Sequence, residues 1–183
     1  MGCRNTASPL SITNSSLDSL VNSHIEKHRP AALREKIFFE TMPSLELAIR
    51  HAAFASDHRD KRYAHQRRIP KKPMRRVFHL LQRFHNRIKK AESFEDLHDF
   101  LRAEISSIHG IGPLYTYDTA LRLGFFLGLA PTRVHLHAGT LKGARALGIH
   151  NANVVELSDL PEALARLSPY EIEDFLCIFK PRN

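Results

Sequence analysis

Residues 93–131 read SFEDLHDFLRAEISSIHGIGPLYTYDTALRLGFFLGLAP, the most informative run in the chain. Ser93 ahead of Phe94, Glu95 and Asp96 has the form of a helix N-cap with an acid at the third helical position. Leu97, Phe100, Leu101, Ile105 and Ile108 then recur at three- and four-residue steps, which predicts an amphipathic helix over 94–107. Gly110-Ile111-Gly112-Pro113 interrupts it. Proline suits the first position of a helix and glycine its end, so a second helix is expected over 114–127, closed by Gly128 with Pro131 beyond. Two helices therefore flank a tight glycine hairpin.

Working outward, helices are expected over 16–28, 31–41 and 44–54, separated by prolines or polar breaks. Val77, Leu80, Leu81, Phe84 and Ile88 trace an apolar stripe, predicting one amphipathic helix from Arg75 to Lys90. A short helix over 138–147 ends at Gly148, and another over 159–167 follows Ser158. Ser168-Pro169-Tyr170-Glu171 is a capping box that opens a last helix through Ile178. Only 134–136 and 154–157 read as strands. The expectation is an all-α, multi-helix protein without internal repeats: a loose tail over 1–15, then a single helical domain over 16–183 with its hairpin core at about 94–148.

A chain of 183 residues, 43% hydrophobic, can build a core without staples and is neither collagen-like nor wholly disordered. Two cysteines, Cys3 and Cys177, are too few for a disulfide framework, and no apolar stretch approaches the ~20 residues of a membrane span. An intracellular setting without a transmembrane segment is expected. The opening Met-Gly-Cys-Arg-Asn-Thr also fits an N-myristoylation pattern, with Cys3 as a palmitoyl site.

The formal charge of +8 is concentrated. Between Arg59 and Lys90 stand thirteen Lys/Arg against the single Asp60, a net +12, while the remainder of the chain carries −4. Six histidines, His51, His58, His65, His79, His85 and His98, lie in or beside this block. Residues 58–73 hold two prolines and few apolar side chains and read as a loop; the following helix carries the rest of the charge. A dense cationic block attracts phosphate by releasing condensed counterions, which suits nucleic acid ahead of an anionic membrane or an acidic protein. Arg67, Arg68, Lys71, Lys72, Arg75, Arg76, Arg83 and Arg87 are the candidate contacts.

The glycine corner points the same way, because consecutive backbone N–H groups at such a turn face outward and the helix starting at Pro113 adds positive dipole. His109, Gly110 and Gly112 are its candidate phosphate contacts, with Thr140 and Lys142 near a later helix start as a second contact. The run Ile108-His109-Gly110-Ile111-Gly112 resembles the helix-hairpin-helix DNA-binding motif. Its continuation, Val134-His135-Leu136-His137 and then Ala146-Leu147-Gly148, resembles at loose spacing the helix-hairpin-helix DNA glycosylase superfamily. The resemblance spans about 94–148 and implies a helical fold that grips the DNA backbone. Two positions depart from it. Members that cut the backbone carry a lysine nucleophile where this chain has Leu114, and the acid that stabilises a developing sugar cation falls where His135 stands.

An enzymatic reading therefore rests on other groups: Asp118, Tyr115, His135 and His137 as acid–base candidates. Asp118 also suits a plain i,i+4 pair with Arg122, and Tyr115 and Tyr117 suit either base stacking or core packing. His135 and His137 alternate as two metal ligands would, but no third ligand is evident, so neither a metal site nor a cofactor is expected. The leading expectation is a nucleic-acid-binding protein, with DNA its partner, gripping phosphates with little sequence selectivity. A glycosylase-like enzyme acting on a modified or damaged base, and a module for an acidic protein partner, are the alternatives.

Overall fold

The computed structural model describes residues 14–150 and 153–179. The Met-Gly-Cys opening and most of the expected tail lie outside the described residues. Nine α-helices are found among those described: α1 (Asn14–Lys27), α2 (Arg29–Glu40), α3 (Leu45–Phe54), α4 (Lys71–Arg83), α5 (His85–Lys89), α6 (Phe94–Ile105), α7 (Pro113–Leu127), α8 (Ala138–Ala146) and α9 (Pro169–Ile178). Two short strands, β1 (Val134–His135) and β2 (Val154–Val155), pair antiparallel with Val134 opposite Val155. No helix among the described residues is long and apolar enough to cross a membrane.

The described residues divide into two compact units, 31–132 and 14–30 with 133–150 and 153–179. In the first, α3 packs on α4 and α7, and α6 on α7. Ser44 caps α3 and Ser93 caps α6, each side chain accepting the N–H three residues on; the Ser93 cap is the expected one, while the sequence reading places Ser44 inside its helix. Ile49, Met74, Leu81, Leu97, Leu101 and Leu123 are fully buried there. Gly124 is compelled by packing, because a Cβ would stand 2.7 Å from the Leu129 carbonyl oxygen.

The helix expected from Arg75 to Lys90 is instead two. It begins earlier, at Lys71, and breaks at Phe84 (φ −94°, ψ 15°) before the single turn of α5. The break passes unseen in the sequence because Met74, Val77 and Leu81 before it and Ile88 after it are all buried apolar residues at helical spacing. The loop expected over 58–73 is also more ordered than its composition suggests. The Asp57 carboxylate accepts the N–H groups of Arg59 and Lys61, both at 2.9 Å, and Ser56 pairs with Arg62 as an antiparallel bridge. Slight burial opposes the Asp57 charge, but those two N–H bonds outweigh it and hold its carboxyl below the ordinary range.

In the second unit Leu17, Val21, Val134, Val155, Leu164, Ile172 and Phe175 form one core. Gly143 lets α8 lie directly on α9: a Cβ there would stand 2.2 Å from the Leu176 carbonyl oxygen. Arg29 donates from Nε to Glu171, whose second oxygen accepts the Ser168 N–H and hydroxyl. The helix expected over 159–167 is replaced by two 3₁₀ turns, Leu157–Asp159 and Glu162–Arg166, separated by extended residues at Leu160 and Pro161.

His24 gives this unit a pH dependence. It is buried, stacked on His28 with centroids 5.3 Å apart and edge-on to Phe175, and its Nδ1 has no hydrogen-bond partner among the described residues. Burial first, and the His28 neighbour second, push its pKa down from 6.5 to about 4. The unfolded chain takes up this proton near 6.5 and the folded chain only near 4. Stability is therefore full above pH 6.5 and falls as pH drops through that window, by up to roughly 3 kcal/mol. Urea unfolding midpoints measured from pH 8 to 4 should show the fall, and His24→Leu should remove most of it; an unchanged slope in the variant would discount His24 as its source.

Candidate nucleic-acid interface

Ile108 and Ile111 anchor the hairpin by burying their side chains, and the Ile111 N–H closes the turn on the Ile108 carbonyl at 3.0 Å. His109 and Gly110 stand exposed between them. Gly110 occupies the left-handed region at φ +90°, where a side chain is strained by about 1–2 kcal/mol. Gly112 does not share this conformational need. Its φ of −103° suits any residue and a Cβ would meet nothing within 4 Å. The turn does not need glycine there; its absent side chain leaves the backbone open to an incoming group.

The hairpin lies against the cationic helix. A Cβ on Gly110 would contact Pro73 Cγ at 3.4 Å, and Pro73 sits in the first turn of α4 beside Lys71 and Lys72. Two helix starts thus meet at one corner, since α7 begins at Pro113. Neither has a capping side chain and neither has an acid in its first turn. Among the described residues the N–H groups of Lys71, Lys72, Gly110, Gly112 and Leu114 donate to no protein acceptor. Lysines at the positive end of a helix dipole are each unfavourable by about 0.3–1 kcal/mol, so this corner is electrostatically unsatisfied as it stands. Lys72, Arg76, His79 and Arg83 continue from it along one exposed face of α4, flanked by exposed Lys71 and Arg75.

Other candidates are already engaged. Arg87 forks onto both carboxylate oxygens of Asp96 and lies 4.9 Å over the Phe100 ring, so it serves the packing of α5 on α6. Thr140 is buried with its hydroxyl turned to the His137 backbone, accepting from the N–H and donating to the carbonyl, which removes it as a surface phosphate contact. Lys142 is exposed, in the other unit from the hairpin. Arg67 and Arg68 are exposed.

The acid–base candidates are divided between the two units. Tyr115 is buried, donates to the Ala53 carbonyl at 2.5 Å, and has its pKa pushed up by burial, so it ties α7 to α3. Tyr117 packs edge-on to Phe94 and His98. Asp118 accepts from His65 Nε2 at 2.9 Å and from the Gln66 amide at 2.5 Å. The Gln66 carbonyl in turn accepts from Arg122 Nη1 at 3.0 Å, and Arg122 Nε donates to Glu35 at 2.7 Å. The expected direct Asp118–Arg122 pair is thus relayed through Gln66. His135 is buried in β1 and His137 is the N-cap residue of α8, both in the other unit from Asp118. No three His, Cys, Asp or Glu side chains among the described residues cluster as metal ligands do.

Arg50 and Phe54 carry no local signal of a site in the sequence. Both line an open groove with Lys61, Arg62, Arg67 and Lys71. Their helical spacing marked Phe54 as core and left Arg50 outside the charge block. Comparison of the chain with protein-family models, with curated proteins and with solved structures gives no match.

Proposed function

We propose that this protein binds the phosphate backbone of nucleic acid, DNA foremost, at the corner where the hairpin meets α4. The observation that carries the reading is the meeting of two uncapped helix starts at Pro73 and Gly110, with open N–H groups and unpaired lysines on the same corner. A phosphate placed there satisfies the amides, both dipoles and the ammonium groups together. The exposed face of α4 extends the contact along a strand. Few of these side chains are fixed by neighbours in a way that would read base edges, which favours binding of low sequence selectivity.

The test is salt dependence. With about five phosphates neutralised, log K for a labelled 20-base-pair duplex should fall with log salt at a slope of roughly −4.5. Fluorescence anisotropy between 50 and 300 mM potassium chloride measures it. A flat response, or no binding at 50 mM, overturns the proposal.

A further inference from the structure

The groove at the C-terminal end of α3 extends the corner in a different chemical direction. It is open, about 850 Å³, and lined by Arg50, Phe54, Ser56, the single acid Asp60 and the cations of the 61–71 segment. That size falls within the range of roughly 300–1,000 Å³ typical of clefts for small organic groups.

Its charges are not equivalent. Arg50 is paired with Asp60 at 3.1 Å, and Arg62 donates to the Ile69 carbonyl at 2.7 Å, which pins the segment. The side-chain charges of Lys61, Arg67 and Lys71 have no ion-pair or hydrogen-bond partner among the described residues, although the Lys61 and Arg67 backbones are bonded. Three unpaired cations therefore surround a lining that contains an aromatic ring. Phe54 is half-buried, with its ring 5.4 Å from that of Phe78.

We infer that this groove receives a single-stranded stretch of nucleic acid, its phosphates on Lys61, Arg67 and Lys71 and a base on Phe54. A cationic groove with an aromatic platform suits unpaired nucleotides, because every base has a π-face to offer once it is out of a duplex. A paired duplex keeps its base faces stacked inside and presents backbone and base edges along its length, so it offers the ring no face to stack on. Lys71 belongs to both places: it lines the groove and stands in the first turn of α4, which abuts the hairpin. The two sites form one track, with backbone held at the hairpin and the unpaired continuation in the groove. The inference rests on the phosphate-binding reading of the hairpin corner and deepens it to a junction between paired and unpaired strands.

The experiment compares three labelled probes on the full chain: a blunt 12-base-pair duplex, the same duplex with a five-thymidine tail, and a 12-nucleotide oligothymidylate. The tailed duplex should bind about tenfold more tightly than the blunt one. Phe54→Leu, which keeps an apolar side chain, should abolish that advantage and leave blunt-duplex binding unchanged. Arg67→Gln, at an exposed side chain that forms no ion pair among the described residues, should weaken the tailed probe and lower its salt slope by about 1. Equal affinity for tailed and blunt probes, or a Phe54→Leu loss shared equally by both, overturns the groove inference and leaves the hairpin reading standing. No binding of any probe removes both. Displacement of the oligothymidylate by poly-glutamate at equal charge concentration assigns the groove to acidic protein and also overturns the inference.

Discussion

Replacing Arg122 by methionine should destabilise the protein by roughly 3 to 5 kcal/mol and lower its thermal midpoint by on the order of 10 °C. The side chain is 2% exposed, yet it carries a full charge. Burial opposes that charge, but Glu35 and Asp118 outweigh it and hold the guanidinium pKa above its ordinary value. The guanidinium carbon also lies 4.3 Å over the Tyr63 ring. Methionine preserves much of the volume while leaving Glu35 without its ion-pair partner and the Gln66 carbonyl without a donor. The double change Arg122→Met with Glu35→Leu removes the stranded carboxylate and should recover roughly 1 to 3 kcal/mol, because most of the single-variant loss is an unpaired group rather than a lost attraction. Hydrogen exchange should quicken around Tyr63–Gln66, which α7 holds through this network. A midpoint within 2 °C of the parent, or a double variant no better than the single, would show that the network is not what anchors the segment.

That network marks the limit of what local pattern reveals. Helix starts at Ser93 and Ser168, and the helix end at Gly128, were legible because each depends on a cap within three or four residues. The ordering of 58–73 was not, since part of it comes from partners far along the chain: Gln66 reaches Asp118 across 52 positions and Arg122 across 56, beside the local contacts of Asp57 and Arg62. Charge counting found the cationic block but could not separate Arg87, tied to Asp96, from Lys71 and Arg76, which are free among the described residues. The glycines show the same division. Gly110 could be read as a turn, whereas only coordinates reveal that Gly112 serves no conformational need. Arg50 and Phe54 were hidden because their role depends on a groove whose cationic wall lies seven to twenty-one residues further along the chain.

Reversing charge at Lys71, Lys72 and Arg75 together should move binding and stability in opposite directions. All three side chains are exposed and form no ion pair among the described residues, so replacing them with glutamate breaks nothing in the fold. Two of the new carboxylates would stand in the first turn of α4, where an acid complements the helix dipole and a lysine opposes it, a gain of about 0.3–1 kcal/mol each. The thermal midpoint should therefore hold or rise by a few degrees. Binding of the 20-base-pair duplex at 100 mM salt should fall by at least about 100-fold, and the slope of log K against log salt should lose about 2.7 from three missing phosphate contacts. Opposite signs are the useful feature, because a merely misfolded variant loses both properties and a solvated charge run with no partner loses neither. Binding kept within threefold of the parent would mean that phosphate does not reach α4. Gained stability with lost affinity would identify the lysines as locally unfavourable residues whose compensation comes from the ligand, as expected where a binding site departs from the charge preference of its own helix.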